Sequence, residues 1–515
     1  MDFSLGFVEN AKDRVKVGLD SFSKKNPSLF YADVRFEAGI FRVAEAFNGN
    51  SKGAFEDFDM SVGVRAFAKK DGMTSAGFAG KALGEKQLQN LSGELKQIFA
   101  VALKRAKINA AKKYVFKKKH GRLVEQIGTV SFLQEASFVD EVRYPFKKSP
   151  LDLSLEEIIS RTEKNSIEVS KIKGVASNEI ALACGFNKKV FASTSGSLIE
   201  QTWPVTEGFC YVAAKGKAME TFYNWLGNYS GIEVLEGENE FSQTFEEFSQ
   251  NIAVGTAELS NAPAMKTTAA SQTVITDPWF NGLLSHEVLG HPSEADRALK
   301  KEAAWAGRAW WYNGVDDNQF QKSVGSEQLT VFSDPSLSGY GNYKYDDEGT
   351  KAKKVFHIKN GVLTDFLNSV ETSAILGAQP NGGMRAMAAE HVPLIRMNNT
   401  AIAAGGWGKE EIFEDTREGY YLVGHKTPSI GETRANFKIT CWKLYKIENG
   451  ELGQLYRQGG ISSDSHTFFD SIDAVGKDFQ LYNIPNCGKG TPMQTMKVAN
   501  GGPHLRGKAI VTGAH

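Results

Sequence analysis

His286 and His291 stand five residues apart in "DPWFNGLLSHEVLGHPSEAD" (277–296), and this spacing restricts how the surrounding chain can fold. Asp277-Pro278 reads as the start of a helix, with aspartate as N-cap and proline in the first turn. Trp279, Phe280, Leu283, Leu284 and Val288 supply its apolar face. A regular helix turns about 100° per residue, so positions five apart point about 140° away from each other. On such a helix the two imidazoles share nothing and read as unrelated, one of them packed in a core. Pro292 lacks an amide hydrogen and clashes with the carbonyl of residue 288. Gly290 is a weak helix former that bends easily. A π-type turn between 286 and 292, with an i→i+5 bond, would bring the two histidines nearly into line.

The common metal-binding spacing H-E-x-x-H has one residue fewer. With the helix widened, His286 and His291 become two candidate metal ligands, and Glu287 stays close to both. Beside two ligands, Glu287 reads as a base that takes a proton from zinc-bound water; alone, it would be an ordinary exposed glutamate. A catalytic zinc needs a third protein ligand and an open position. Cys184, Cys210 and Cys441 lie in apolar or alternating strand patterns and read as small buried hydrophobes. Cys487, in "NIPNCGKGTP", lies between prolines and glycines and is expected on a loop, where Lys489 would favour its thiolate. It is either the third ligand or an incidental surface thiol. Glu294 is a rival third ligand if the helix survives Pro292, and otherwise a carboxylate on a helix surface.

Around this segment the chain reads as α+β. Val8, Ala11, Val15 and Leu19 trace an amphipathic helix. Residues 30–38 alternate, with Phe30, Ala32, Val34 and Phe36 on one side and Tyr31, Asp33, Arg35 and Glu37 on the other, as in a half-buried strand; 60–70 repeat the pattern. Helices are expected from Leu88 to Ala102, near 153–171 and over 245–259, with strands from about 174 to 216. The expected first domain, residues 1–262, is an antiparallel sheet packed with helices. The second, 263–515, is β-rich and carries the metal-binding helix. Asn-Gly pairs predict hairpins centred in 355–367 and 441–456.

Lysine plus arginine and aspartate plus glutamate both number 60 in 515 residues, so charge makes no case for nucleic acid or an anionic membrane. No apolar run is long enough to span a bilayer. Charged residues occupy the place of a signal peptide's apolar stretch, and four dispersed cysteines fit a reducing compartment, so a cytoplasmic location is expected. Neither a nucleophile elbow, a P-loop nor a G-x-G-x-x-G is present, which argues against serine hydrolases and nucleotide enzymes.

These residues resemble the TldD/PmbA family, specifically its TldD-type metalloprotease branch. The similarity spans most of the chain: "VITDPWFNGLLSHEVLGHPSEAD" (274–296), "YDDEGTKAKKVFHIKNGVLTDFL" (345–367), "PLIRMNNT" (393–400), the late "CGKG" (487–490) and, loosely, "VGVRAFAKKDGMTSAGFAG" (62–80). The chain departs from the family pattern after the cysteine. The resemblance implies zinc held by His286, His291 and Cys487, with Glu287 catalytic. It implies hydrolysis of unfolded or small peptides, and a paired assembly: a homodimer, or a heterodimer with a PmbA/TldE-like subunit lacking the motif. A zinc-dependent peptidase is the expectation. The alternative is a non-catalytic protein with a structural zinc site, serving in binding or regulation.

Overall fold

The computed structural model describes residues 5–8, 10–27, 29–70, 72–120, 137–302, 304, 306–312 and 318–513. The N-terminal half forms a seven-stranded sheet among these residues. Its two longest neighbours, Leu29–Phe47 and Asn50–Lys70, are antiparallel and joined by Asn48-Gly49, with φ of 48° and 82°. Left-handed backbone at both turn positions matches the right-handed twist of the flanking strands. Strands Met73–Ala82, Val175–Ser193, Leu198–Lys215 and Met219–Asn228 extend the sheet in antiparallel fashion, and Val139–Arg143 adds a parallel edge.

Ala32, Val34, Phe36, Met60, Val62 and Val64 face helices Ala11–Lys25 and Leu91–His120, which contribute Val15, Leu19, Leu95, Ile98 and Phe99 to one core. Phe30, expected to point inward with them, is exposed at the strand's start. The second helix begins at Leu91 and runs on to His120, beyond the expected end at Ala102; a short helix, Glu85–Gln89, precedes it. Helices Leu155–Ser170 and Phe245–Asn261 form where periodicity places them. Ser154 and Thr244 cap them, each side chain accepting a backbone N–H from the third helical residue, Glu157 and Glu247.

The polar side of the first strand is buried too. Tyr31, Asp33, Arg35 and Glu37 are all covered, contrary to the half-buried reading. The sheet has a second layer on this face, supplied by the distant 345–350 and 386–391 segments. Arg65 pairs with Asp33 and Glu348, Lys189 bridges Glu37 and Asp347, and Arg35 donates to the His391 carbonyl. Alternation separates two faces of a strand; it does not say what covers either.

After Asn261 the chain builds two larger sheets. One has seven strands and includes Gln272–Thr276, Glu418–Ile430, Asn436–Glu448 and Leu505–Thr512; the other has six and includes Asn399–Ile402, Gln480–Lys489 and Gln494–Gly502. Both expected hairpins form, with Asn360-Gly361 and Asn449-Gly450 at positive φ. Helix Pro278–Leu284 follows directly from Gln272–Thr276 and packs between Glu418–Ile430 of one sheet and Gln494–Gly502 of the other. Its residues are all buried, and Phe280, Leu284, Val288 and Leu289 join a core with Met397, Cys441 and Val498.

No helix among the described residues is long and apolar enough to cross a membrane.

Candidate metal centre

Asp277 caps its helix, Oδ1 accepting the Phe280 N–H at 2.6 Å. Four residues after the first turn the helix widens. Ser285–Gly290 is a π-turn, closed by the His291 N–H donating to the His286 carbonyl. This is the i→i+5 bond that the histidine spacing demands. Beyond it, His291–Ser293 tightens to a 3-10 turn and Glu294 is extended, so the helix ends at Ser293, one residue past Pro292. Gly290 keeps an ordinary helical φ of −68°. What requires glycine here is room: a Cβ would lie 2.1 Å from Met397 Sδ.

The widened turn brings the two rings to 4.8 Å between centroids, at 86°. Cys487 joins them, and the ligand atoms of His286, His291 and Cys487 all lie within 4.8 Å of one another. Sγ of Cys487 is 3.6 Å from Nε2 of His291. Tetrahedral zinc with ordinary Zn–S and Zn–N bonds separates a sulfur and a nitrogen ligand by about 3.6 Å. The three donors therefore have a spacing that could hold such an ion. Cys487 is not on a loop. It belongs to strand Gln480–Lys489, paired with Met496, just after a register shift between Ile484 and Cys487. The bulge absorbs Pro485, and the thiol is buried.

Each remaining ring nitrogen is held. His286 Nδ1 donates to Asn500 Oδ1 at 2.8 Å, and His291 Nδ1 to Glu294 Oε2 at 3.0 Å. Glu294 is fully buried rather than on a helix surface, and it sits behind His291, away from the thiol. Its Oε2 also accepts from Arg297 Nε at 2.9 Å and Lys489 Nζ at 3.0 Å, while Oε1 accepts the Met397 N–H at 3.2 Å. Both oxygens are committed, so Glu294 orients a histidine instead of competing with Cys487. Lys489 is likewise spent on Glu294, Asp296 and the Ile395 carbonyl. Burial opposes ionisation of the Cys487 thiol, but His286, Arg396 and His291 outweigh it and hold the thiol well below its usual range. Burial likewise opposes charge on His286, yet the adjacent Cys487 raises it to about 9. A thiolate beside an imidazolium is the charge arrangement a cation would replace. Cys184 and Cys210 behave as expected: buried, with thiols pushed up to about 12 by that burial. Cys441 is buried as well.

Glu287 faces a cavity of about 610 Å³ that His286, His291 and Cys487 also line. Its Oε2 and its own carbonyl both accept from Arg434 Nη1. Burial opposes its charge, but Arg434 and the two imidazoles hold it ionised, down to about 2. Arg434 and Asn500 escaped the sequence reading, since nothing local marks them. Arg434 lies in a turn with φ of 62°, 147 residues from its partner.

Residues 269–513 match the family model described as PmbA/TldA metallopeptidase C-terminal domain. Over 492 residues the chain is 30% identical to a metalloprotease of Methanocaldococcus jannaschii, covering 94% of this chain and 97% of that one. The chain belongs to the TldD/PmbA family. A second TldD/PmbA relative, the zinc metalloprotease TldD homolog of Saccharolobus solfataricus, is 34% identical over 48% of this chain and 52% of its own length. The fold matches TldE from Thermococcus kodakarensis with a TM-score of 0.69 and 15% identity, covering 98% of this chain and all (100%) of that chain. Relatives in the TldD/PmbA family carry metalloprotease names, and this chain adds a His/His/Cys group that could hold a metal.

Proposed function

We propose that the protein is a zinc-dependent peptidase acting on unfolded or small peptides, with His286, His291 and Cys487 as metal ligands and Glu287 as the general base. The observation that carries this reading is the convergence of three deprotonatable donors at zinc spacing with a held carboxylate on the same cavity wall. Among the described residues the donor group numbers three, which suits a catalytic ion with one position for water better than a closed structural site. Zinc bound there would acidify a water and polarise a peptide carbonyl. Asn500 and Glu294 fix the two histidines through Nδ1 and leave Nε2 for the metal side. Arg434 holds one oxygen of Glu287 and leaves the other for the attacking water's proton, which Glu287 passes to the leaving amine nitrogen.

The cavity also suits an extended substrate. Strand Met219–Asn228 is bonded along one edge to Leu198–Lys215, and its residues Thr221 to Trp225 line the cavity. A peptide strand laid beside it would be gripped by backbone, with loose sequence preference. A folded protein has already paired those groups and would be spared. The likeness to TldE supports a paired assembly, as a homodimer or with a TldE-like subunit. The absence of a spanning helix among described residues is compatible with a cytoplasmic setting.

The test is metal analysis of the purified protein together with digestion of one substrate protein in folded and unfolded forms, with a chelator control. The wild type should hold zinc and degrade only the unfolded form. Glu287→Gln should keep zinc and lose cleavage. Tightly held zinc with no cleavage by the wild type would favour the structural-metal alternative.

A further inference from the structure

A peptidase also needs a hydrogen-bond donor aimed at the carbonyl oxygen that gains charge during attack. Arg434 lines the cavity, but its Nη1 is given to the carbonyl and carboxylate of Glu287. Asn224 lines it too, but its Nδ2 is sealed from the open space. Tyr482 donates its hydroxyl to Gln480, and Asn483 its amide to the Gly227 carbonyl. His425 differs. It shares the cavity wall with His286, Glu287, His291 and Cys487, and its ring has no hydrogen bond among the described residues.

The backbone around His425 is arranged to present that ring. Gly424 has φ of 59°, in the left-handed region, and a Cβ there would lie 2.7 Å from the Trp279 ring. Its N–H donates to Asp277 Oδ1 at 3.0 Å, the same oxygen that caps the metal-site helix. Strand Glu418–Ile430 is thereby tied to the N-cap of that helix. Immediately beyond, a register shift between His425 and Pro428 breaks the pairing with Asn436–Glu448. Bulges beside sites re-aim side chains in this way. Trp279 then braces the imidazole edge-on, with centroids 6.1 Å apart at 69°. Burial, with the charge of His286, lowers His425 to about 4, so at neutral pH the ring is uncharged and carries one N–H.

Resting on the peptidase reading above, we propose that His425 is a catalytic residue that donates its ring N–H to the scissile carbonyl oxygen as negative charge develops there. No proton changes hands; the bond strengthens as the carbonyl C=O double bond becomes a single bond and its electron pair moves onto oxygen. A neutral donor in the cavity wall does this without the cost of desolvating a second cation.

The experiment compares His425→Ala and His425→Phe with wild type for zinc content, thermal melting, kcat and KM on an unfolded peptide, and affinity for a phosphinic peptide. The phosphinic oxygen stands in for the charged carbonyl oxygen. Loss of one such donor should lower kcat about 100-fold or more, with KM and zinc content unchanged. Phosphinic-peptide affinity should fall in parallel. Affinity for the uncleaved substrate, measured in Glu287→Gln with and without His425→Ala, should not change. A kcat within about threefold of wild type in a folded, zinc-loaded His425→Ala protein would overturn the assignment. So would equal losses of substrate and phosphinic-peptide affinity, which mean a merely structural role. If His425→Ala fails to melt cooperatively, the Phe variant, which keeps a ring but no N–H, decides on the same criteria. Wild-type protein that holds zinc and cleaves nothing overturns the peptidase reading itself, and this proposal with it.

Discussion

Lys489 Nζ lies 3.0 Å from Glu294 Oε2, and this buried contact locks the strand of Cys487 to the segment of His291. Lys489 is two residues past the thiol; Glu294 is three past the imidazole. Two candidate ligands 196 residues apart in sequence are thus held in register by their neighbours. Lys489→Met strands carboxylates in the core and should destabilise the protein by about 3–5 kcal/mol in urea unfolding, the usual cost of breaking a buried pair on one side.

Glu294→Gln keeps the shape but weakens the hold on His291 Nδ1. Zinc affinity, measured by competition with a chelator, should fall about 10–100-fold, the range for partners behind a metal ligand. Unchanged affinity would mean that the histidine is oriented by packing alone.

His286→Ala, His291→Ala and Cys487→Ala should each lower zinc occupancy in metal analysis, because each removes one of three donors. Cys184→Ala, Cys210→Ala and Cys441→Ala should retain it, since those thiols are buried elsewhere. Full occupancy in Cys487→Ala would refute the ligand set.

Gly290→Ala places a methyl group where Met397 Sδ now sits, 2.1 Å from the new Cβ. Overpacking of this kind costs about 1–3 kcal/mol, and Met397→Ala should restore part of it. A denaturant double-mutant cycle measures the coupling; additive losses would show that Met397 is not the obstacle.

Glu240 supplies a pH dependence away from the metal. Burial raises its carboxyl from 4.5 to about 8, against a weak hydrogen bond from Asn483 at 3.5 Å. Between those values the folded protein binds a proton that the unfolded chain lacks. Stability should therefore fall as pH rises through this window, with a slope approaching about one proton. Glu240→Gln should flatten that part of the curve; an unaltered slope would assign the titration elsewhere.

The histidine pair, the capped helix and the π-turn were legible because they are local: spacing, an Asp-Pro step and a misplaced proline suffice. The same holds for the Asn-Gly hairpins at 360–361 and 449–450, and the pair at 48–49 carries the identical signal. Cys487 was singled out from composition while its setting was misjudged. Proline and glycine neighbours suggest a loop, but Pro485 is absorbed by a bulge and Gly488 pairs within the strand. Lys489 looked like the thiol's partner, yet it serves Glu294; two apart on a strand, the two side chains leave the same face, and sequence does not say which acid that face meets. Arg434, Asn500 and the buried polar residues Arg35 and Glu37 depend on partners more than a hundred residues away, which periodicity cannot reach.

Strand Gln272–Thr276, which leads straight into the metal-site helix, takes its antiparallel partner from Leu505–Thr512. On the ribosome, the helix and both histidines are made well before Cys487, 196 residues past His291, and before strand Leu505–Thr512. Until those arrive the strand has an open edge, the helix lacks the layer that carries Cys487, and the donor trio cannot close. Nascent chains should therefore be blind to zinc until these strands are released, with such long-range pairing slow to form. Acquisition of the ion would then report that the strand of Cys487 and strand Leu505–Thr512 had both found their places.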